Sequence, residues 1–417
     1  MTATAATPAW QRELFERRTI GVHLGLDVIR AAYRQLGQPA AKLPAVHVVG
    51  TNGKGSTSAM VAHGLRRAGR RVGLFTSPHL HRIAERIQID GVPIEDPTLE
   101  RWIGEVLLVE RAGELGGALS FFEILTLAGL LAFVDAKVDV AVVECGLGGR
   151  LDATRVASSA LTLVTPIALD HQRWLGPDLE AIAGEKAAVM ENRAPTISAA
   201  QDPVAAAVLE RAAERWQTPL CYAEFAPRSP QGLPGEHQRQ NAGLARAALE
   251  HLLGEAPMTL LDGVRWPGRL ESIDVGGGRM LFDVAHNPHG IAALRRYLAM
   301  TPALGGRLIV FGAMLGKEAP TMVRELASLG SPMLLVPPAD REGWAPSELA
   351  AELDGEQPVA TARSIEAPEA TGPIREHLAR GGEVVVCGSC YLVGAIRGRI
   401  IGEQADGILL ADPMPRG

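Results

Sequence analysis

The chain has 417 residues, a formal net charge of -6, 47% hydrophobic and 21% charged residues, which excludes a single small core and a broadly basic nucleic-acid surface. No apolar run approaches the roughly 18 residues of a membrane span, and the N-terminal MTATAATPAWQRELFERR has no basic start followed by an apolar core, so a cytoplasmic protein of two domains is expected. Residues 10–36 read as helix interrupted by two glycines, Gly21 and Gly25, where a loop touches something. Val46 to Val49 has the length and β-branched content of a buried strand, and residues 57–68 recur apolar on a helical period. Between them stand Gly50, Thr51, Asn52, Gly53, Lys54, Gly55 and Ser56. Glycines let backbone N–H groups approach a polyphosphate, the lysine brings a point charge, the serine offers a hydroxyl to magnesium, and the helix start favours anions. The spacing is a variant of the common P-loop: Val48 holds the first-glycine position, and Gly55 rather than Ser or Thr follows Lys54.

Further along, a short strand from Arg71 exits into Ser77 and Pro78, residues 87–94 alternate around an Asp-Gly turn as a hairpin, and residues 99–111 and 120–133 read as helices. A strand over 138–145 ends on Glu144, the next over 160–167 exits into Asp170 and His171, and a helix beginning near Leu179 carries Lys186. A strand at Thr196, a helix over 204–216, a strand near Leu220, a Pro- and Gly-rich loop over 226–235 and a helix over 237–253 carrying Asn241 follow. Alternating strands and helices predict a parallel sheet, and ligands bind outside the carboxyl ends of its strands. Lys54 with Ser56, Ser77, Glu144 and His171 all follow such ends, so four loops aim at one crevice. The domain boundary is expected between about 262 and 280, after which strands near Met280, over 308–311, 334–336 and 383–387 repeat the pattern. Cys387-Gly-Ser-Cys390 is one CxxC without a second pair, so it reads as a strand-to-helix turn, and four scattered cysteines build no disulfide framework.

Of 41 lysines and arginines only five are lysine, Lys42, Lys54, Lys137, Lys186 and Lys317, which makes each retained lysine a question. From the residues alone His171 suits a base or a manganese site, Lys186 a helix-surface ion pair, and Phe121 with Phe122 either a stacking platform or core.

The motifs GTNGKGST, SPHL, SFFE, ECGLGGRLDAT, LDHxxWLG, GEKA, QN, PGR and DVAHNPHG occur in that order across nearly the whole chain. In this the chain resembles folylpolyglutamate synthases and dihydrofolate synthases of the Mur ligase superfamily. The resemblance implies an α/β fold: a P-loop parallel-sheet ATPase domain over 1–265, a linker over 266–279, and a smaller Rossmann-like α/β glutamate-ligase domain over 280–417. It implies ATP-dependent amide formation, in which a carboxylate is phosphorylated and the acyl phosphate is attacked by the amine of L-glutamate. The acceptor would be dihydropteroate, a folate, or both, and the protein a monomer. Nucleotide contacts would come from Thr51, Asn52, Gly53, Lys54, Gly55, Ser56, Asn241, Arg269, Asp283, His286 and Asn287. Two magnesium ions would be held by Ser56, Ser77, Glu144, His171 and a carbamylated Lys186. Lys54, Glu144, His171 and Lys186 would carry catalysis, and Gly25, Phe121, Phe122, Glu123 and Asp152 would contact the acceptor. The chain departs from the family pattern at Ala188, where glycine is frequent, and at Cys390, where an aliphatic residue is common. The competing readings are a Mur-type or specialised amino-acid ligase acting on another acid, and a P-loop kinase or nucleotide-binding regulator.

Overall fold

The computed structural model describes residues 8–17, 25–303, 305–338, 342–353, 358–366, 368–403 and 406. The first sheet contains β1 (Ala45–Val49), β2 (Val72–Phe75), β3 (Ile87–Ile89), β4 (Val92–Pro93), β5 (Val140–Glu144), β6 (Ser159–Val164), β7 (Thr196–Ser198) and β8 (Leu220–Tyr222), in the order β4-β3-β2-β5-β1-β6-β7-β8. All neighbours are parallel except the β2–β3–β4 edge, where the hairpin of the Asp-Gly turn runs antiparallel. Strands β1, β2 and β5 are buried at every position because helices cover both faces, which is why they read as continuous apolar runs rather than alternations.

Two of those helices explain much of the packing. Phe121–Asp135 is apolar almost all round and is buried accordingly. It starts with a capping box: Ser120 Oγ accepts from the Glu123 N–H at 3.3 Å, and Glu123 Oε2 accepts from the Ser120 N–H at 2.8 Å. On the other face the phosphate-loop helix, Lys54–Arg67, packs on His237–Leu253, and Gly64 brings them so close that a Cβ there would lie 2.4 Å from Leu249 Cδ1. The expected helix over 57–68 thus begins three residues earlier, at Lys54. At the N-terminus, helices Ala9–Glu16 and Asp27–Gln35 flank the glycine-interrupted stretch, of which residues 18–24 lie outside the described residues.

The second sheet contains β9 (Glu271–Val275), β10 (Gly278–Phe282), β11 (Arg307–Phe311), β12 (Met333–Leu335), β13 (Val359–Thr361) and β14 (Glu383–Cys387), ordered β13-β12-β11-β14-β10-β9. Most of the expected linker over 266–279 therefore belongs to this domain. Strand β9 pairs antiparallel with β10, and Gly276 and Gly277 are its two-residue turn at φ 60° and 89°. The glycine run in the expected linker is a hairpin tip. Strand β13 also escaped the sequence reading, since a three-residue edge strand carries no periodic signal. The CxxC stretch is the expected turn from β14 into helix Cys390–Ile401, which Ser389 caps by accepting from the Tyr391 N–H at 3.2 Å. Burial pushes the Cys387 thiol far up, which opposes thiolate chemistry.

Candidate active site between the two domains

Adjacent strands β2, β5, β1 and β6 place Ser77, Glu144, the phosphate loop and Asp170-His171 side by side at their carboxyl ends. Gly53 caps the loop's helix in the left-handed region at φ 87°, and a Cβ there would lie 2.3 Å from Asn241 Oδ1. A Cβ on Gly50, φ 147°, would lie 2.0 Å from Thr165 Oγ1. Only glycine lets this loop lie against its neighbours. Near the helix's start Thr57 Oγ1 and Ser58 Oγ are buried without a hydrogen-bond partner among the described residues, and Lys54 Nζ folds back on Thr51 O at 3.2 Å. A glycine cradle, a helix N-terminus, buried hydroxyls and a mobile ammonium suit a nucleotide polyphosphate.

Of the oxygen donors expected for magnesium, Glu144 stands beside both Ser77 and the phosphate-loop helix. Glu144 ends β5, only 4% exposed, and its Oε2 accepts from the Ser77 N–H at 3.2 Å. A Cβ on Gly55 would lie 3.6 Å from that same oxygen, so the carboxylate faces the first turn of the phosphate-loop helix. Ser56 accepts from Gln238 Nε2 at 3.3 Å, and Gln238 in turn accepts from Asn241 Nδ2 at 3.0 Å. Carboxylate and hydroxyl oxygens are the ligands a hard divalent cation prefers.

Lys186 is 4% exposed and donates to Gly50 O in the phosphate loop at 2.8 Å. Burial, with the Lys54 charge adding to it, pushes the amine down to about 7. The helix-surface ion pair considered for it is taken instead by its neighbour Glu185, which accepts from Arg150 at 2.9 Å. His171 sits in the left-handed region at φ 54°, its Nδ1 buried without a partner, and burial drives the ring down to about 3. It is therefore a neutral imidazole with a lone pair for a cation.

The second domain closes the crevice. Asn52 and Asn287 exchange two amide hydrogen bonds, at 3.1 and 3.0 Å, and Asn52 Nδ2 also lies 2.9 Å from His289 Nδ1. Asn287 Nδ2 donates to Asp170 Oδ2 at 2.9 Å, while His286 Nε2 stands 3.6 Å from the same oxygen. Lys317 donates to Asp170 Oδ1 at 2.6 Å and reaches His171 Nε2 at 3.4 Å. Burial opposes ionisation of Asp170, but the adjacent His286 ring and the Lys317 ammonium hold its carboxyl far below the usual range. Asp283 orders the domain junction by accepting from the Leu270 and Ala285 N–H groups at 3.0 and 2.9 Å. Arg269, half-buried between them, feels the charges of Asp283 and Glu144, one from each domain.

Lys317, Gln238 and Trp266, whose Nε1 would lie 2.9 Å from a Cβ on Gly55, belong to this centre and had no site role in the sequence reading. Lys317 had a signal in the scarcity of lysine; the other two had none. The acceptor residues do not gather as expected. Phe121 is fully buried in the core with Arg86 stacked 5.2 Å from its ring centre, so it offers no stacking face. Phe122 is half-buried against Phe75 and fills the space beside Gly146, where a Cβ would lie 2.7 Å from its ring. Glu123 serves the capping box, and Asp152 accepts from the Gly146, Leu147 and Thr154 N–H groups at 2.8, 3.0 and 2.9 Å, shaping the loop after β5. Gly25 has open space about it.

Residues 268–390 match the family described as Mur ligase, glutamate ligase domain. The dihydrofolate synthase/folylpolyglutamate synthase of Bacillus subtilis is 32% identical over 92% of this chain and 96% of its own length. That of Escherichia coli is 30% identical over 97% and 99%. The chain belongs to the folylpolyglutamate synthase/dihydrofolate synthase family. Mycobacterium tuberculosis folylpolyglutamate synthase complexed with ADP superposes with a TM-score of 0.85 at 30% identity, covering 94% of this chain and 98% of that one. The bifunctional Yersinia pestis enzyme with manganese, AMPPNP and L-glutamate bound gives 0.82 at 26%, covering 96% and 100%. The two-domain α/β architecture is thus the family's, and no described helix is long and apolar enough to cross a membrane.

Proposed function

We propose that this chain is an ATP-dependent ligase that joins L-glutamate by an amide bond to dihydropteroate, to a folate, or to both. The observation that carries the reading is what gathers at the strand ends: a phosphate cradle, the Glu144 carboxylate beside it, a buried lysine on the cradle's Gly50 carbonyl and a cross-domain lysine on Asp170. Transfer of a phosphoryl group from ATP to the acceptor carboxylate turns a poor leaving oxygen into a good one, and glutamate's amine then displaces phosphate. Lys54 and the loop N–H groups favour the charge that accumulates on the transferring phosphoryl group. Two divalent ions on Ser56, Ser77, Glu144 and His171 would supply charge neutralisation for the nucleotide and the developing acyl phosphate.

Carbamylation of Lys186 fits its surroundings. An unprotonated amine is the form that adds CO2, and burial beside Lys54 favours that form. The resulting carbamate would place an anion near the Lys54 ammonium, where a second ammonium is disfavoured. A kinase or nucleotide-binding regulator needs the cradle but neither this lysine nor a second domain bearing Lys317 on Asp170. Purified protein incubated with ATP, L-glutamate and each acceptor in turn, with ADP release followed, tests the assignment. Release stimulated by dihydropteroate or a folate only when glutamate is present is expected. Release that needs a different acid would leave the ligase class and remove the folate assignment.

A further inference from the structure

Outside the nucleotide crevice, a groove of about 850 Å³ opens beside helix Leu179–Ala187. Gly184 and Ala187 line it from that helix and Ala188 from just beyond its end, whereas Lys186 turns inward to Gly50. Its volume is that of a small-molecule site, and its polar lining is mostly guanidinium: Arg30, Arg150, Arg155, Arg211 and Arg215 against the two acids Asp27 and Glu191. The chain as a whole is acidic, at -6, so this concentration runs against its average.

Partners decide which of these cations can serve a ligand. Arg155 holds Glu191 at 2.6 Å, Arg150 holds Glu185 at 2.9 Å, and Arg211 holds Glu180 at 2.7 Å. Arg30 and Arg215 carry no salt bridge among the described residues; Arg215 instead lies 5.0 Å from the ring centre of Trp216, which also lines the groove. Hydrogen bonding from Arg155 and the charges of Arg155, Arg30 and Arg215 together hold the Glu191 carboxyl below its ordinary range, so these cations focus on one region. Exposed pairs such as Arg211 with Glu180 are worth little and exchange readily for a ligand's carboxylate. Several guanidinia spaced around a solvent-open trough recognise carboxylates in pairs, each by a planar fork.

We propose that this groove binds a polycarboxylate. The ligand is either a chain of γ-linked glutamates carried by an acceptor or a free di- or tricarboxylate, since both present the same spaced carboxylates. The first source rests on the folate reading and on Gly25 as an acceptor contact, because Gly25, Leu26 and Leu151, the neighbour of Asp152, all line the groove. A ligand that draws Arg215 away from Trp216 reports itself through the indole.

The test titrates the full chain with tri-γ-glutamate, citrate and inorganic phosphate while tryptophan emission is read. A saturable change with the first two probes is expected, absent in Trp216→Phe and reduced at high salt, with Kd raised about tenfold in the Arg30→Ser, Arg215→Ser double variant. Citrate alone giving the change would assign the free-polycarboxylate source. No saturable change, equal response to phosphate, or unaltered binding in the double variant would overturn the site. ADP release with dihydropteroate, which carries no glutamyl chain, is measured alongside and should keep its wild-type kcat and KM in the double variant. If the wild type releases no ADP with any acceptor, the folate reading fails, whatever the titration shows.

Discussion

At Lys54 the fit is between a point charge and a loop of backbone donors. Lys54→Ala removes that charge while leaving the glycine cradle, and is expected to slow turnover by an amount equivalent to about 2 to 4 kcal/mol, as for other single electrostatic stabilisers. Lys54→Arg should not restore it, because a planar fork does not fit a space shaped for an ammonium. Steady-state rates of ADP release check both, and a normal rate in either would remove the phosphate-cradle role. Lys186 makes a different demand. Its amine is buried against Gly50 O, so Lys186→Ala leaves a gap at the loop that a short carboxylate can enter. Loss of ligation with partial recovery in added acetate or formate is expected, together with lower wild-type activity after bicarbonate depletion. Unchanged turnover in Lys186→Ala would contradict the carbamate.

Among elements, the segment after β2 depends on one carboxylate. Glu85 accepts from the Leu80, His81 and Arg82 N–H groups at 2.8, 3.0 and 2.9 Å, and so closes the turn that packs against helix Cys390–Ile401 of the second domain. That packing is tight: a Cβ on Gly394 would lie 2.4 Å from Leu80 O. Burial opposes ionisation of Glu85, yet its hydrogen bonds, with His81 contributing, bring the carboxyl down to about 2. A depressed carboxylate stabilises the fold above its unfolded value near 4.5 and loses that stabilisation as pH falls from there toward 2. Glu85→Gln is therefore expected to lower stability near neutral pH by up to about 3 kcal/mol. Its acid unfolding limb over that window should be flatter. Urea melts from pH 6 to 3 measure both. The phosphate loop is equally exacting, since Gly53→Ala must adopt φ 87° and displace Asn241. Weaker nucleotide binding with little loss of global stability is expected, read by calorimetric titration with AMPPNP.

For the whole molecule, the domains meet through polar pairs placed at the crevice: Asn52 with Asn287, and Lys317 with Asp170. Both partners of the lysine pair are largely buried, at 12% and 7% side-chain exposure, so removing one leaves the other charge uncompensated. Lys317→Met is expected to weaken closure of the domains around nucleotide. Small-angle scattering at saturating AMPPNP should give a larger radius of gyration than the wild type, and Arg269→Ala should behave likewise. Equal radii, with binding demonstrated, would make these contacts incidental to closure. The glycines at 276 and 277 take no part in that motion, because they are held as the tip of the β9–β10 hairpin.

Local signals made the catalytic half of the chain legible. Buried parallel strands are apolar runs, and the phosphate loop needs glycines at fixed places, so Gly50 through Ser56, Glu144 and Asp170-His171 stand out without any knowledge of their neighbours. The glycine run before β10 was ambiguous for the opposite reason: a hinge and a type I′ hairpin tip ask for the same positive φ. Phe121 and Phe122 differ in burial although they are adjacent, since only the helix's rotation on the sheet decides which ring enters the core. Lys317 shows the limit most clearly. Its role depends on Asp170, 147 positions away in the chain and in the other domain, and no spacing rule within either segment encodes that meeting. Spacing fixes what a strand end or loop can bind; only the packing of two separately built sheets decides which distant charge arrives to face it.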